Sequence, residues 1–284
     1  LESSNKIVNK YDKLIVNILL ILVIIFPISL LTGPFIPDFT ITISSIIFIY
    51  ICLKYNLSKY FNNSLIKYLF LFWIIIIFCS LLSDNIFFSI RSSLFYIRFI
   101  LFSSFVWFLI ENYKNFLKLF FFSLIITLSF VFIDSIVQFH FGTSLTGFTK
   151  PSFRLTGPFD DRQIVGSYVS RLLPLFIFLY YFFYSKINKK TIFFISLLSL
   201  LVLISGERTS FFMITLFLFS IIFLFSKRFI NIILIFCVYF IASIFIIVTN
   251  LDLKERVINQ TLQGFGIKKY TNETGEQKYF DAKP

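Results

Sequence analysis

FLKLFFFSLIITLSFVFIDSIVQ, residues 116–138, decides the fold class. No charged side chain falls between Lys118 and Asp134, and as a helix the stretch is long enough to cross roughly 30 Å of hydrocarbon. Working outward, comparable apolar runs lie at 14-31, 37-53, 65-82 and 91-110 before it, and at 163-184, 191-205, 210-225 and 229-249 after it. The chain has 284 residues, of which 58% are hydrophobic and 14% charged, with 44 Phe. Its mean hydropathy is +0.89. Soluble domains carry about 25% charged residues, so the reading is an all-α, polytopic transmembrane helical bundle of about nine spans. Residues 1-249 form the helical domain, with an outer loop at 139-162, and 250-284 is a polar segment after the last span.

The net charge of +12 would suggest nucleic acid in a soluble protein. Here no stretch outside the apolar runs is long enough for a binding module, so nucleic acid is excluded as a partner and membrane lipids take its place. Cys52, Cys79 and Cys237 sit in three different runs without metal-ligand spacing, and read as small apolar side chains. The first run follows Lys6, Lys10 and Lys13 but lacks a small-residue cleavage site, so it reads as an uncleaved helix. The chain does not begin with Met, and we expect it to be trimmed or partial.

Charge sorts by side. With a cytoplasmic N-terminus, the inner segments hold Lys6, Lys10, Lys13, Lys54, Lys59, Lys67, Lys114, Lys118, Lys186, Lys189, Lys190, Lys227 and Arg228, while the first outer turns offer Asp38 and Asp84. This is the positive-inside pattern. It puts 139-162, 206-209 and 250-284 on the outer face. Arg91, Arg98, Arg154, Arg162, Arg171 and Arg208 fall on that face or in outer helix ends. Lys would serve topology equally well. Guanidinium is favoured where a planar fork must hold phosphate or carboxylate oxygens, so an anionic ligand is expected at the outer leaflet.

Arg98 and Arg171 lie about two turns into their helices, roughly 12 Å from the outer end. Buried cations mark sites, although snorkelling or pairing with Asp134 would also account for them. The helix from 163 begins after Asp160 and Asp161, so its positive end faces the same zone and suits phosphate. Either Asp could equally be its N-cap. Glu207 and Arg208 sit in a short turn, Ser205 to Ser210, where they could pair with each other, and Thr209 or Ser210 could cap the following helix. Asp134 and Gln138, four apart, share a helix face and suit either glycan contact or polar packing. His140, the single His, reads as an interfacial residue. Arg91 could simply anchor the interface. No Walker, GxGxxG, GxSxG or HExxH motif occurs, so metal-independent chemistry is expected.

Three stretches together resemble the O-antigen ligase and O-antigen polymerase family of bacterial envelope enzymes. They are Asp134, Gln138 and Gly142 running on to Gly147; Arg154-Leu155-Thr156-Gly157-Pro158-Phe159 with Gly166-Ser167-Tyr168 and Pro174; and Ser205-Gly206-Glu207-Arg208-Thr209-Ser210. The resemblance covers roughly 85 to 250 and implies a multi-pass glycosyltransferase of the bacterial inner membrane, acting in lipopolysaccharide biosynthesis. Such an enzyme takes glycan from an undecaprenyl-diphosphate carrier at the periplasmic face, without cofactor or metal. The acceptor is a hydroxyl of lipid A core or of another carrier-linked glycan. Arg154 and Arg208 match the family's outer arginines and would hold the donor diphosphate, with Arg171 and Arg98 added on depth. Arg208 and Glu207 are the candidate catalytic residues. The family has a long periplasmic loop with an essential His. Residues 250-284 carry none, so the chain is expected to end inside that loop and to be inactive as a piece. A polysaccharide transporter or lipid flippase is the rival reading. It should show internal repeats or helices broken near the midplane.

Overall fold

The computed structural model describes residues 10–150, 154–185, 188–224 and 229–249, together with 254, 258, 270–271 and 277–278. Lys6, Lys186, Lys227, Arg228 and most of 250-284 lie outside the described residues. The architecture is all-α. In chain order the helices are α1 (Lys10–Ile24), α2 (Phe26–Ser29), α3 (Phe35–Tyr55), α4 (Ser64–Leu81), α5 (Ile86–Phe95), α6 (Ile97–Asn112), α7 (Phe116–Phe141), α8 (Val165–Tyr184), α9 (Lys189–Ile204), α10 (Arg208–Leu224) and α11 (Phe229–Thr249). Tyr270–Thr271 and Gln277–Lys278 add a two-residue antiparallel ladder.

Among the described residues, five helical stretches are long and apolar enough to cross a membrane: Phe35–Tyr55, Ser64–Leu81, Ile86–Asn112, Phe116–Phe141 and Val165–Tyr184. Outward-facing side chains agree with a lipid surround, Phe87 being 88% and Leu82 79% exposed. The chain is a membrane protein. Nine spans are expected from sequence; the described parts of α1, α9 and α10 have 15, 16 and 17 residues. Such helices extend about 23 to 26 Å, short of the hydrocarbon thickness. The described apolar stretch of α11 is Tyr239–Thr249. An apolar run alone does not separate a lipid-facing helix from one enclosed by protein, and α9 is the second kind. Ile195, Leu198, Leu201 and Val202 are fully buried on it, and it packs against α8, α10 and α11.

The chain divides into two compact units, 1–123 and 124–284, with α7 running from one into the other. In the first unit, Gly33 at φ +103° and Pro34 lead into α3. That helix stops at Asn56, which takes the left-handed conformation Asn tolerates better than most residues. Asn63 caps α4 by accepting the Leu65 amide at 3.1 Å. Where one helix is expected over 91-110, the structure has α5 and α6, broken at Tyr96. The Ser93 carbonyl receives both the Trp73 indole N–H (2.8 Å) and the Tyr96 amide (3.2 Å), so the four-residue ladder gives way to a three-residue bond there. The core of this unit is aromatic. Phe48 is fully buried, with the rings of Tyr60, Phe61, Phe105 and Phe108 centred 5.5 to 6.1 Å away.

Candidate functional site

The second unit gathers the three stretches that carry the family resemblance. It does so through buried polar side chains. The C-terminal part of α7 supplies Asp134, Ser135 and Gln138, all 0% exposed. The Gln138 Oε1 accepts the amides of Thr156 (2.9 Å) and Gly157 (2.8 Å), and its Nε2 donates to the Thr156 Oγ1 (2.7 Å) and the Phe148 carbonyl (3.2 Å). One side chain thus fixes two separate parts of the 142–164 connection. Asp134 Oδ1 accepts the Thr146 amide at 3.2 Å. Asp134 Oδ2 and Ser135 Oγ have no hydrogen-bond partner among the described residues. Gly157, at φ +54°, lies so close that a Cβ would fall 2.8 Å from Ser135 Oγ and 3.0 Å from Val165.

Glu207 makes the second lock. It is 4% exposed, on the turn between α9 and α10. Its Oε1 accepts the Gly166 amide at 2.8 Å. Its Oε2 accepts the Ser167 amide (3.0 Å), the Ser210 hydroxyl (3.0 Å) and the Ser167 hydroxyl. Gly166 and Ser167 are the second and third residues of α8, whose own N-cap position, Ile164, makes no side-chain cap. A carboxylate from a distant turn therefore satisfies amides that a local Ser or Asp would ordinarily take, and its charge suits the positive helix end. The approach is close. A Cβ on Gly166 would lie 2.4 Å from Ser205 Oγ and 3.1 to 3.2 Å from Glu207. The Leu155 amide completes the junction by donating to the Ser205 carbonyl at 3.3 Å.

Several expectations change. Glu207 makes no ion pair with Arg208 among the described residues; its oxygens accept from Gly166, Ser167 and Ser210, so it anchors the turn to the head of α8. The amides at the head of α8 are likewise taken, so that helix end is no phosphate cradle. Asp160 and Asp161 do not cap α8 but are exposed, Asp160 at φ +58°. Thr209 and Ser210 do not cap α10, which begins at Arg208; the Phe211 amide bonds the Glu207 carbonyl at 3.0 Å. Asp134 and Gln138 are too deeply buried to touch glycan, and they hold the loop instead.

The arginines separate into groups. Arg154 and Arg208 flank the Leu155–Ser205 bond in sequence: Arg154 precedes Leu155 and Arg208 follows Ser205 by three. Arg154 is half-buried, with its Nη2 3.4 Å from the Gln163 carbonyl, and Arg208 is exposed at the first residue of α10. Arg171 is exposed two turns along α8, and His140 and Arg162 are exposed as well. Arg98 belongs to the first unit, where its partner is Asp38 at 3.0 Å and not Asp134. Among the described residues, no three His, Cys, Asp or Glu side chains gather as a metal-ligand set. Sequence reasoning includes Thr156 and Ser167 in the resembling stretches but gives them no task; the two buried side chains use them as handles. The missing cap at Ile164 is the signal that points toward an anchor from elsewhere. Compared with protein-family models, with curated proteins and with solved structures, the chain matches none.

Proposed function

We propose that the protein is a membrane glycosyltransferase of the O-antigen ligase or polymerase type. In this reading the N-terminus is cytoplasmic, and the junction of the second unit faces the periplasm of a bacterial inner membrane. The observation that carries the reading is the Leu155–Ser205 hydrogen bond, which ties the Arg154 stretch to the Arg208 turn. Two guanidiniums on joined, rigidly held backbones form a fitting receptor for a diphosphate.

Arg208 sits on the positive end of α10, where a cation is disfavoured by about 0.3 to 1 kcal/mol unless an anion compensates it. A polyprenyl diphosphate supplies that anion. In the transfer, a hydroxyl of the acceptor glycan or lipid A core forms a bond to the anomeric carbon as the bond to the diphosphate oxygen breaks. The electron pair leaves with the diphosphate, whose developing charge Arg154 and Arg208 stabilise, and the proton of the attacking hydroxyl passes to water or to the departing diphosphate. Arg171 adds a third cation along α8. Gln138 and Glu207 are positioning residues that hold the two arginine-bearing segments.

The test is binding of an undecaprenyl-diphosphate glycan to the purified protein and to Arg154→Ala and Arg208→Ala. Loss of at least about tenfold in affinity in both variants, with folding intact, is expected. Absence of binding in the parent, or equal binding in all three proteins, would remove the donor-site assignment.

A further inference from the structure

The first unit carries a pocket of its own that is lined by two arginines. A pocket of about 450 Å³ lies along the α5–α6 break, lined by Phe88, Arg91, Phe95, Tyr96, Arg98 and Phe99 among others. Arg91 and Arg98 are seven residues apart, close to two turns. Tyr96 interrupts the hydrogen-bond ladder but keeps helical angles (φ −63°, ψ −25°), so both arginines leave the rod from the same side. Arg91 is exposed. Arg98 gives its Nη2 to Asp38 (3.0 Å) and its Nη1 to the Thr42 hydroxyl (3.4 Å), and its guanidinium carbon lies 5.1 Å from the centre of the Phe99 ring. Its Nε–H has no acceptor.

The aromatic walls determine what kind of anion fits. Phe88 is 76% and Phe95 61% exposed. On a helix long and apolar enough to cross a membrane, such rings face acyl chains. A free phosphate gains nothing from them, whereas a lipid phosphate brings a chain that covers the rings while its head meets the guanidiniums.

We infer that this pocket holds the headgroup of an anionic membrane phospholipid, with Arg91 and Arg98 on its phosphate and an acyl chain along Phe88 and Phe95. The rings open toward the lipid phase, where phospholipid is the abundant phosphate, so mass action favours a resident bilayer lipid. Asp38 competes with that phosphate for Arg98 Nη2, and it holds the side chain in place when the pocket is empty. The site is independent of glycosyl transfer, and it gives Arg98 a lipid-binding role in the first unit.

Trp73 is a built-in reporter, since its indole bonds the carbonyl of Ser93, next to the pocket residue Ser92. The experiment is a tryptophan fluorescence titration of the whole purified chain in neutral detergent with short-chain phosphatidylglycerol, short-chain phosphatidylcholine and inorganic phosphate, each on the parent, Arg91→Gln and Arg98→Gln. A saturable response to phosphatidylglycerol, weakened at least about tenfold in Arg91→Gln and absent with phosphatidylcholine, is expected. Equal responses to the two lipids, or an unchanged midpoint in Arg91→Gln, would overturn the site. A response to inorganic phosphate equal to that of phosphatidylglycerol would overturn the lipid assignment and leave a simple ion site. Should Arg98→Gln fail to fold for want of its Asp38 pair, Arg91→Gln decides alone, because it removes an exposed side chain.

Discussion

The two units hold their segments together with different buried polar groups: small hydroxyls such as Ser45, which donates to the Arg98 carbonyl, in the first, and an amide and a carboxylate in the second. In the first, the centre is a set of rings around Phe48, and the polar pairs Lys59–Glu111 and Arg98–Asp38 involve partly or largely exposed side chains. In the second, the amide and the carboxylate are interior: Gln138 and Glu207 are buried and bond almost entirely to backbone amides and hydroxyls of other segments. Ring packing rewards shape and tolerates many combinations of apolar residues. A buried carboxylate tolerates one arrangement, because each unsatisfied donor left behind carries its full desolvation cost. The difference explains why the irregular backbone sits in the second unit. A long connection packed against buried helix ends is stable only where protein groups satisfy its amides.

The comparison predicts that chemistry matters most in the second unit and volume in the first. The largest effect is expected for Glu207→Ala, which strands the amides of Gly166 and Ser167 and two hydroxyls, at about 4 kcal/mol. Glu207→Gln conserves volume, yet it replaces one acceptor oxygen with a donor facing donors, and it should lose about half as much. Thermal unfolding of both variants measures this. A Gln variant as stable as the parent would mean that size alone governs this site, and the contrast between the units would fall.

Gly166→Ala comes next, at about 3 kcal/mol, the upper range for overpacking, because its new methyl would meet Ser205 Oγ and the Glu207 side chain. Gly142→Ala separates steric contact from backbone strain: it sits at φ +78° with nothing within 4 Å of the added Cβ, and should lose only about 1 kcal/mol. Equal losses in unfolding experiments would show that the close approach at Gly166 is relaxed at little cost. Phe48→Ala in the first unit is expected to lose about 2 kcal/mol. That is below the 3 to 5 typical of soluble cores, because lipid solvates apolar surface and mainly the lost packing remains.

Much of the helical skeleton is legible in the sequence, and the reason is local. The run 229-249 coincides with α11, and 163-184 lies within two residues of α8, because apolar content and helix length are properties of a contiguous stretch. The break at Tyr96 is not legible. No Pro or Gly stands there, and its cause is an indole that arrives from Trp73 on α4. The site divides in the same way. Gln138, Gly157, Gly166 and Glu207 stand out as members of resembling stretches, but their tasks do not. Glu207 looks like a charge in a polar turn until the fold brings it to an α8 terminus some 40 residues away in sequence. Asp160 and Asp161 look like caps because they precede a helix, and only the backbone path past Ile164 removes them from that position.

The smallest effect belongs to the exposed edge of the first unit. The Lys59 Nζ lies 2.8 Å from Glu111, and that hydrogen bond, more than any other influence, raises the lysine's pKa above its ordinary 10.5. A raised lysine pKa stabilises the folded chain fully below the unfolded value and loses that contribution as the pH climbs through the folded value. The window therefore opens only above about pH 10.5. Side chains that are 62% and 42% exposed let solvent and salt screen the pair, so Lys59→Met should shift stability by about 0.5 kcal/mol at neutral pH and low salt. Melts at pH 9 and pH 11, each with and without added salt, check the sign. The parent's advantage over Lys59→Met should be smaller at the higher pH, and added salt should shrink it at the lower one. A difference of several kcal/mol that survives salt would place an energetically buried polar lock in the first unit as well. Polar locking would then no longer distinguish the unit that carries the arginine junction.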